Sequence, residues 1–214
     1  MPQSIDLTGR KMIVIEHMEP FMSRWILEEY KEAMSIASKS GLTMSITGVR
    51  DPVAEALLRR NNIPYTSIHS WEVCDRPGAI VLDLWADRDL KTWEASNASC
   101  FIIGGIMGDN PPRGRGVILR SMFDWASIRR LGPLQLSVDT TVRVISKILE
   151  GYELTDIKMS NSVRLIVKTP LGDVEVSLPF AYILDERGNP LVSKGITELL
   201  SRGIMWDEET LLTY

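Results

Sequence analysis

Gly104-Gly105-Ile106-Met107-Gly108-Asp109-Asn110-Pro111-Pro112-Arg113 follows directly on the apolar run Phe101-Ile102-Ile103. Two further loop-like segments answer it downstream, Arg129-Arg130-Leu131-Gly132 and Gln135-Leu136-Ser137-Val138-Asp139-Thr140-Thr141-Val142-Arg143. Glycines at the end of a strand let a ligand approach the backbone and leave amides free to donate. Three such bends at the ends of neighbouring strands suit a small adenine-containing ligand. Alone, G-G-x-x-G is a weak signal, because a tight strand-to-helix turn uses the same residues.

Upstream, Lys11–Glu16 reads as a short buried strand rich in β-branched residues. Pro20–Ser40 reads as a helix, with Phe21, Trp25, Met34 and Ala37 near helical spacing and Gly41 as its stop. Leu42–Thr47 is a second strand. Asp51-Pro52 opens a helix through Arg60, a capping side chain followed by proline at the first turn. Ala79–Leu84 and Ser99–Ile103 are two further apolar strands, with a helix expected around Asp87–Ala95 between them. Strands alternating with helices predict a parallel sheet covered on both faces.

Beyond Leu149 the pattern changes. Val163–Lys168 and Val174–Leu178 flank Thr169-Pro170-Leu171-Gly172-Asp173, a hairpin signal. Ile183–Leu191 holds a tight reversal, and Ile196–Ser201 is a last helix before an acidic tail. The division is a main α/β unit over residues 11–150 and a small antiparallel element with a C-terminal helix over 151–214.

Composition excludes several classes. The 214 residues, 44% hydrophobic and 24% charged, suit a soluble globular protein. No apolar run approaches the roughly 20 residues a membrane span needs, and Met1–Arg10 lacks a hydrophobic signal region. Cys74 and Cys100 make no disulfide framework, which points to a reducing cytoplasm. With His17 and His69 the only histidines, no metal site is expected. A net charge of −4 favours a neutral or cationic partner over a phosphate backbone. After the first strand stands Glu16-His17-Met18-Glu19 where a dinucleotide fold places G-x-G-x-x-G. The usual open-sheet methyltransferase, with its glycine loop there, is disfavoured for the same reason.

Leu131-Gly132-Pro133-Leu134-Gln135-Leu136-Ser137-Val138-Asp139-Thr140 resembles the closing loop of SPOUT methyltransferases. Ile15-Glu16-His17-Met18-Glu19, Trp25 with Glu29-Tyr30, G-G-I-M-G-D-N-P-P-R, R-R-L-G, Asp139-Thr140 and Pro179-Phe180 with Tyr182-Ile183-Leu184-Asp185 narrow the likeness. In this order they resemble the SPOUT protein-arginine methyltransferases that modify a small-subunit ribosomal protein, and their archaeal relatives. That resemblance implies a knotted parallel sheet, the trefoil knot being a rare exception to the rule against threaded loops. It implies S-adenosylmethionine held by Gly104, Gly105, Ile106, Met107, Gly108, Arg130, Leu131, Gly132, Leu136 and Thr140. It also implies a ribosomal protein substrate and an enzyme that works as a single chain, although knot-mediated homodimers are common in the superfamily. Two departures lie near the expected site mouth. Leu84-Trp85 follows Leu82-Asp83 where the family has proline-arginine, and Gly114 follows Arg113 where it has an acidic residue.

Methylating an arginine needs carboxylates, because the guanidinium is delocalised and stays protonated to a pKa above about 12. A carboxylate grips it, localises its electrons and takes the proton it sheds. The candidates are Glu16, Glu19, Asp109 and Asp139. Asp139 serves equally well as a helix cap, and Asp109 as a turn residue before Asn110-Pro111. Glu16 closes an apolar strand, a costly place for an unpaired carboxylate. His17 reads first as a hydrogen-bonded structural residue, and Trp25 and Tyr30 as helix packing. Arg113, Arg115, Arg129 and Arg130 form the one basic cluster. The alternative reading is a SPOUT enzyme acting on rRNA or tRNA, in which that cluster contacts phosphate.

Overall fold

The computed structural model describes residues 10–74, 77–108, 114–160, 163–169 and 172–202. Five parallel strands form the central sheet: β1 (Met12–His17), β2 (Thr43–Thr47), β3 (Ala79–Leu82), β4 (Cys100–Gly105) and β5 (Ser127–Arg129). Their spatial order is β2-β1-β4-β3-β5. Met12 pairs with both Thr43 and Cys100, and His17 with Gly105, so the carboxyl ends of the strands share one edge. In open α/β sheets that edge is where ligands collect.

Side chains alternate across the sheet and feed two cores. Ile13, Ile15, Phe101 and Ile103 face one side with Ile26, Tyr30, Val142 and Ile145. Met12, Val14, Val81 and Ile102 face the other with Leu119 and Phe123. Each fully buried aliphatic or aromatic side chain contributes on the order of 1.5–3 kcal/mol of transfer free energy.

Helix α1 (Arg24–Lys39) is capped by Ser23, whose Oγ accepts from Ile26 N at 3.1 Å. Its buried stripe is Ile26, Tyr30, Ala33 and Ala37, and Phe21 stands exposed before the helix. Of the four residues expected on the helix face, Ala37 is buried, Trp25 and Met34 are half-buried beside the stripe, and Phe21 lies outside the helix. Helix α2 (Pro52–Arg60) opens as expected, with Asp51 accepting from Val53 N and Ala54 N. A four-residue α3 (Ser70–Val73) precedes β3. The helix expected around Asp87–Ala95 begins later, as α4 (Thr92–Asn97). The segment before it is extended instead, because Arg130 N donates to Arg88 O and Leu90 N to Arg130 O. Helix α5 (Gly116–Arg120) and edge strand β5 carried no expectation.

Helix α6 (Val138–Leu149) packs on α1 and β4. A 3-10 turn (Leu154–Asp156) leads to β6 (Met159–Ser160), which pairs antiparallel with β9 (Tyr182–Ile183). Strands β7 (Val163–Thr169) and β8 (Gly172–Leu178) form the expected hairpin. Helix α7 (Lys194–Ser201) packs on β7 and α1. A third core of Val163, Val167, Leu178, Phe180, Tyr182, Ile196 and Leu200 seals this part, with Trp25 of α1 against it.

Composition offered no reason to pair the cysteines. Cys74, just after α3, and Cys100, opening β4, nevertheless lie side by side with their Cα atoms 6.4 Å apart, within reach of a disulfide. The two residues lie in the same core, so folding alone brings them together.

Candidate active site

Three bends meet at the carboxyl edge of the sheet. The first leaves β4 through Gly104–Gly108, the second leaves β5 through Arg130-Leu131-Gly132, and the third is Leu134-Gln135-Leu136 before α6. Gly104, Ile106, Gly108, Leu131, Gly132 and Leu136 line one cleft of about 160 Å³, a size for a small molecule or a single side chain. Asp83, Trp85 and Arg115 supply its charged and aromatic wall.

Each bend is pinned by the backbone. Met18 N donates to Gly105 O at 3.1 Å, tying the first bend to the end of β1. Gly132 adopts φ +81°, a left-handed turn that glycine takes without strain. Ala181 N donates to Gln135 O at 2.8 Å, so the antiparallel element holds the third bend. A Cβ on Gly108 would collide with Phe180 and Gln135, which explains a glycine where the bends press together.

Four residues assigned to the ligand by resemblance do not line the cleft. Gly105 is buried, and a Cβ there would strike the Tyr30 hydroxyl and approach Glu16 O to 2.9 Å. Its bareness serves packing against α1. Met107 donates its N–H to Glu19 and takes a contact from Ser23 Oγ at 3.2 Å. Arg130 pairs with Asp89 at 2.7 Å. Thr140 is buried inside α6 with its Oγ1 2.8 Å from Ser137 Oγ, while its neighbour Thr141 lines the cleft.

The carboxylates divide in the same way. Glu16 is buried, with Oε2 accepting from Thr47 Oγ1 at 2.6 Å and Ser70 N at 2.8 Å, and Oε1 against His69 Nδ1 at 2.5 Å. It ties β1 to β2 and α3, away from the cleft. Glu19 accepts from Met107 N at 2.7 Å and Arg115 Nη1 at 3.0 Å, bracing the first bend. Arg115 also donates to Met107 O. Asp109 and Arg113 lie outside the described residues.

Asp139 is not the helix cap. Ser137 occupies that position, and Asp139 lies buried in the first turn with Oδ1 2.6 Å from Ser137 Oγ. The cap acceptor comes from α1, where Glu29 Oε2 accepts from Val138 N at 3.0 Å and Oε1 from Trp25 Nε1 at 2.7 Å. Burial, then the nearby Asp139 charge, pushes the Glu29 carboxyl up to about 8. Burial raises Asp139 as well.

His17 behaves as a structural histidine. Its Nδ1 is 2.9 Å from the Tyr30 hydroxyl, and burial lowers its pKa against the raising effect of Glu19, Asp51 and Glu16. Tyr30 is fully buried, as its packing reading expected. Arg129 pairs with Glu94 and Arg130 with Asp89, so acidic neighbours order these two members of the basic cluster.

One side chain of the cleft was not among the candidates read from the sequence. Among the described residues, Asp83 is the single carboxylate lining the cleft. Its signal was present, an acidic residue ending an apolar strand, in the same grammar that singled out Glu16.

The family model for "Protein arginine N-methyltransferase SFM1-like" matches residues 12–206. The chain belongs to the SFM1-like protein arginine N-methyltransferases. It is 27% identical over 203 residues to protein arginine N-methyltransferase SFM1 of Saccharomyces cerevisiae, covering 88% of this chain and 93% of that protein. The crystal structure of the yeast arginine methyltransferase SFM1 complexed with SAM is similar with a TM-score of 0.75 and 25% identity, over 90% of each chain. A dual-specific Trm10 from Thermococcus kodakaraensis shares the fold at TM-score 0.53 and 19% identity, over 68% of this chain and 95% of that one. The enzyme is therefore an S-adenosylmethionine-dependent protein arginine methyltransferase of SPOUT-like fold. The RNA alternative is not favoured, since the relatives at 25% identity or more are arginine methyltransferases and the Trm10 likeness is one of fold.

The cleft fits that donor. Leu82, Ile103, Leu131, Leu134 and Leu136 offer apolar walls for a flat adenine, and glycine bends expose backbone polar groups at its edge.

Proposed function

We propose that this enzyme methylates an arginine of a small-subunit ribosomal protein in the cytoplasm, as a single chain of archaeal type. The observation that carries the reading is the convergence of the three bends on one cleft whose lining includes a buried carboxylate. A net charge of −4 suits a cationic protein partner.

The proposed division of labour follows the geometry. Residues 11–150 are the proposed methyltransferase unit, closed by a trefoil knot, and 151–214 the proposed accessory unit, whose described antiparallel strands and α7 pack against it and hold the third bend. Gly104, Ile106, Gly108, Leu131, Gly132 and Leu136 contact the donor. Gly105, Met107, Arg130 and Thr140 act one layer behind, fixing the shape of the bends. When bound, S-adenosylmethionine supplies an electrophilic methyl group on a sulfonium. Alignment of the acceptor nitrogen with that methyl then provides most of the rate. Glu19 places negative charge beside the first bend, while Glu16 and Asp139 position β1 and α6. Asp109 keeps its place among the carboxylates on the resemblance alone.

The test uses tritiated S-adenosylmethionine with purified enzyme and extract from cells lacking it. The reading expects label on one small basic ribosomal protein, lost to protease and kept under ribonuclease. Label that ribonuclease removes, or that falls on a non-ribosomal protein, contradicts it.

A further inference from the structure

Asp83 is the residue that the cleft leaves chemically incomplete. It follows β3 at the carboxyl edge, where its N–H donates to Arg129 O at 2.9 Å and Oδ1 accepts from Trp85 N at 3.1 Å. Its side chain is 3% exposed. A Cβ on Gly116 would approach Oδ1 to 3.1 Å, so the bare start of α5 lets that helix sit against the carboxylate. The other oxygen, Oδ2, has no hydrogen-bond partner. Arg120 Nη1 lies 3.0 Å from it, close enough for attraction and out of line for a hydrogen bond. The charge is therefore paired but the oxygen lacks a directed hydrogen bond, which a guanidinium entering in line would supply. Beside it in the cleft wall stands Trp85, 56% exposed.

We propose that Asp83 receives the guanidinium of the acceptor arginine, that Trp85 flanks that group by cation–π contact, and that Arg120 is a resident guanidinium which yields to it. This rests on the methyl-transfer reading of the same cleft and names the group that holds the acceptor. Asp83 Oδ2 accepts from the guanidinium and localises its electrons on the nitrogen facing the donor. That nitrogen forms the N–C bond as the C–S bond breaks, and the bonding pair stays on sulfur. The proton it sheds passes to Asp83 Oδ2 and on to solvent, leaving a methylated guanidinium cation. Arg120 reaches Asp83 from the end of α5, its side chain 34% exposed, and its Nη1 also donates to Trp85 O at 3.4 Å. It neutralises Asp83 until the acceptor enters. Trp85 adds the attraction of an aromatic face for a cation placed over it.

The test uses the full chain with two probes, N-acetyl-arginine methylamide and the basic protein fraction of cell extract. Calorimetry measures the affinity of the small probe for enzyme saturated with S-adenosylhomocysteine. Tritium transfer measures kcat and KM on the fraction. Asp83→Asn is expected to weaken the probe at least tenfold and lower kcat/KM at least 100-fold, with S-adenosylhomocysteine affinity held within threefold. Trp85→Ala raises KM with little change in kcat, and Trp85→Phe restores it. Arg120→Met tests the proposal without touching Asp83, and it is expected to lower KM for the fraction. Asp83→Asn with unchanged probe affinity and turnover overturns the proposal, as does Arg120→Met with a raised KM. Label landing on a non-ribosomal protein would sink the substrate assignment while these comparisons still decide the role of Asp83.

Discussion

At the scale of single residues, the glycines of the first bend do different work. Gly104 and Gly108 face the cleft, whereas Gly105 faces the core and leaves room for Tyr30 and the end of β1. Gly105→Val is therefore a folding mutation. Overpacking of this kind costs about 1–3 kcal/mol, and the shortfall is read as a lower denaturant midpoint in the absence of any donor. A wild-type midpoint with donor binding abolished would mean the residue touches the ligand instead. Glu19→Gln separates bracing from charge. The amide oxygen still accepts from Met107 N, so donor affinity measured by calorimetry stays within threefold. Turnover falls tenfold or more because Arg115, which lines the cleft, loses its counter-charge. Equal loss of both would reduce Glu19 to a scaffold residue. Glu16 and Asp83 show where residue-level reading stops. Both end apolar strands, and only the strand order β2-β1-β4-β3-β5 turns one toward the cleft and the other toward β2 and α3.

At the scale of elements, long periodic segments were legible and short ones were not. β1, β2, α2 and the β7–β8 hairpin sit within a residue or two of expectation, the first two marked by their apolar β-rich runs and the others by capping and turn chemistry. α5 and β5 have five and three residues, too few for a period to show, and their placement is set by the neighbouring sheet. The joint between α1 and α6 was equally invisible, since Glu29 and Asp139 lie 110 residues apart in sequence and meet only on folding. That joint has a pH signature. The Glu29 carboxyl is pushed up to about 8 from an ordinary 4.5, so between those values the folded protein holds a proton that the unfolded chain has released. Its contribution to stability is full below 4.5 and is lost as pH rises through 8. The raised Asp139 acts in the same direction, while the lowered His17 costs stability on the acid side of its ordinary 6.5. Melting temperature is expected to fall from pH 6.5 to 8.5 in the wild type and to fall less in Glu29→Gln. Parallel pH profiles would show that the carboxyl is not protonated in the fold.

At the scale of the whole molecule, the account joins a parallel sheet, three bends and an antiparallel element into one donor-binding edge. The α/β class and the two-part pattern of the chain were legible because hydrophobic period changes sharply after Leu149. The dependence of the third bend on the antiparallel element was not, because it runs through the backbone bond from Ala181 to Gln135 and the packing of Phe180 against Gly108. The most direct measurement is a crystal structure of the protein grown with S-adenosylhomocysteine. The account predicts the adenine between Leu131, Leu136 and the Gly104–Gly108 bend, with the sulfur turned toward Asp83. Density for the ligand elsewhere, or a sulfur turned away from that carboxylate, would contradict it.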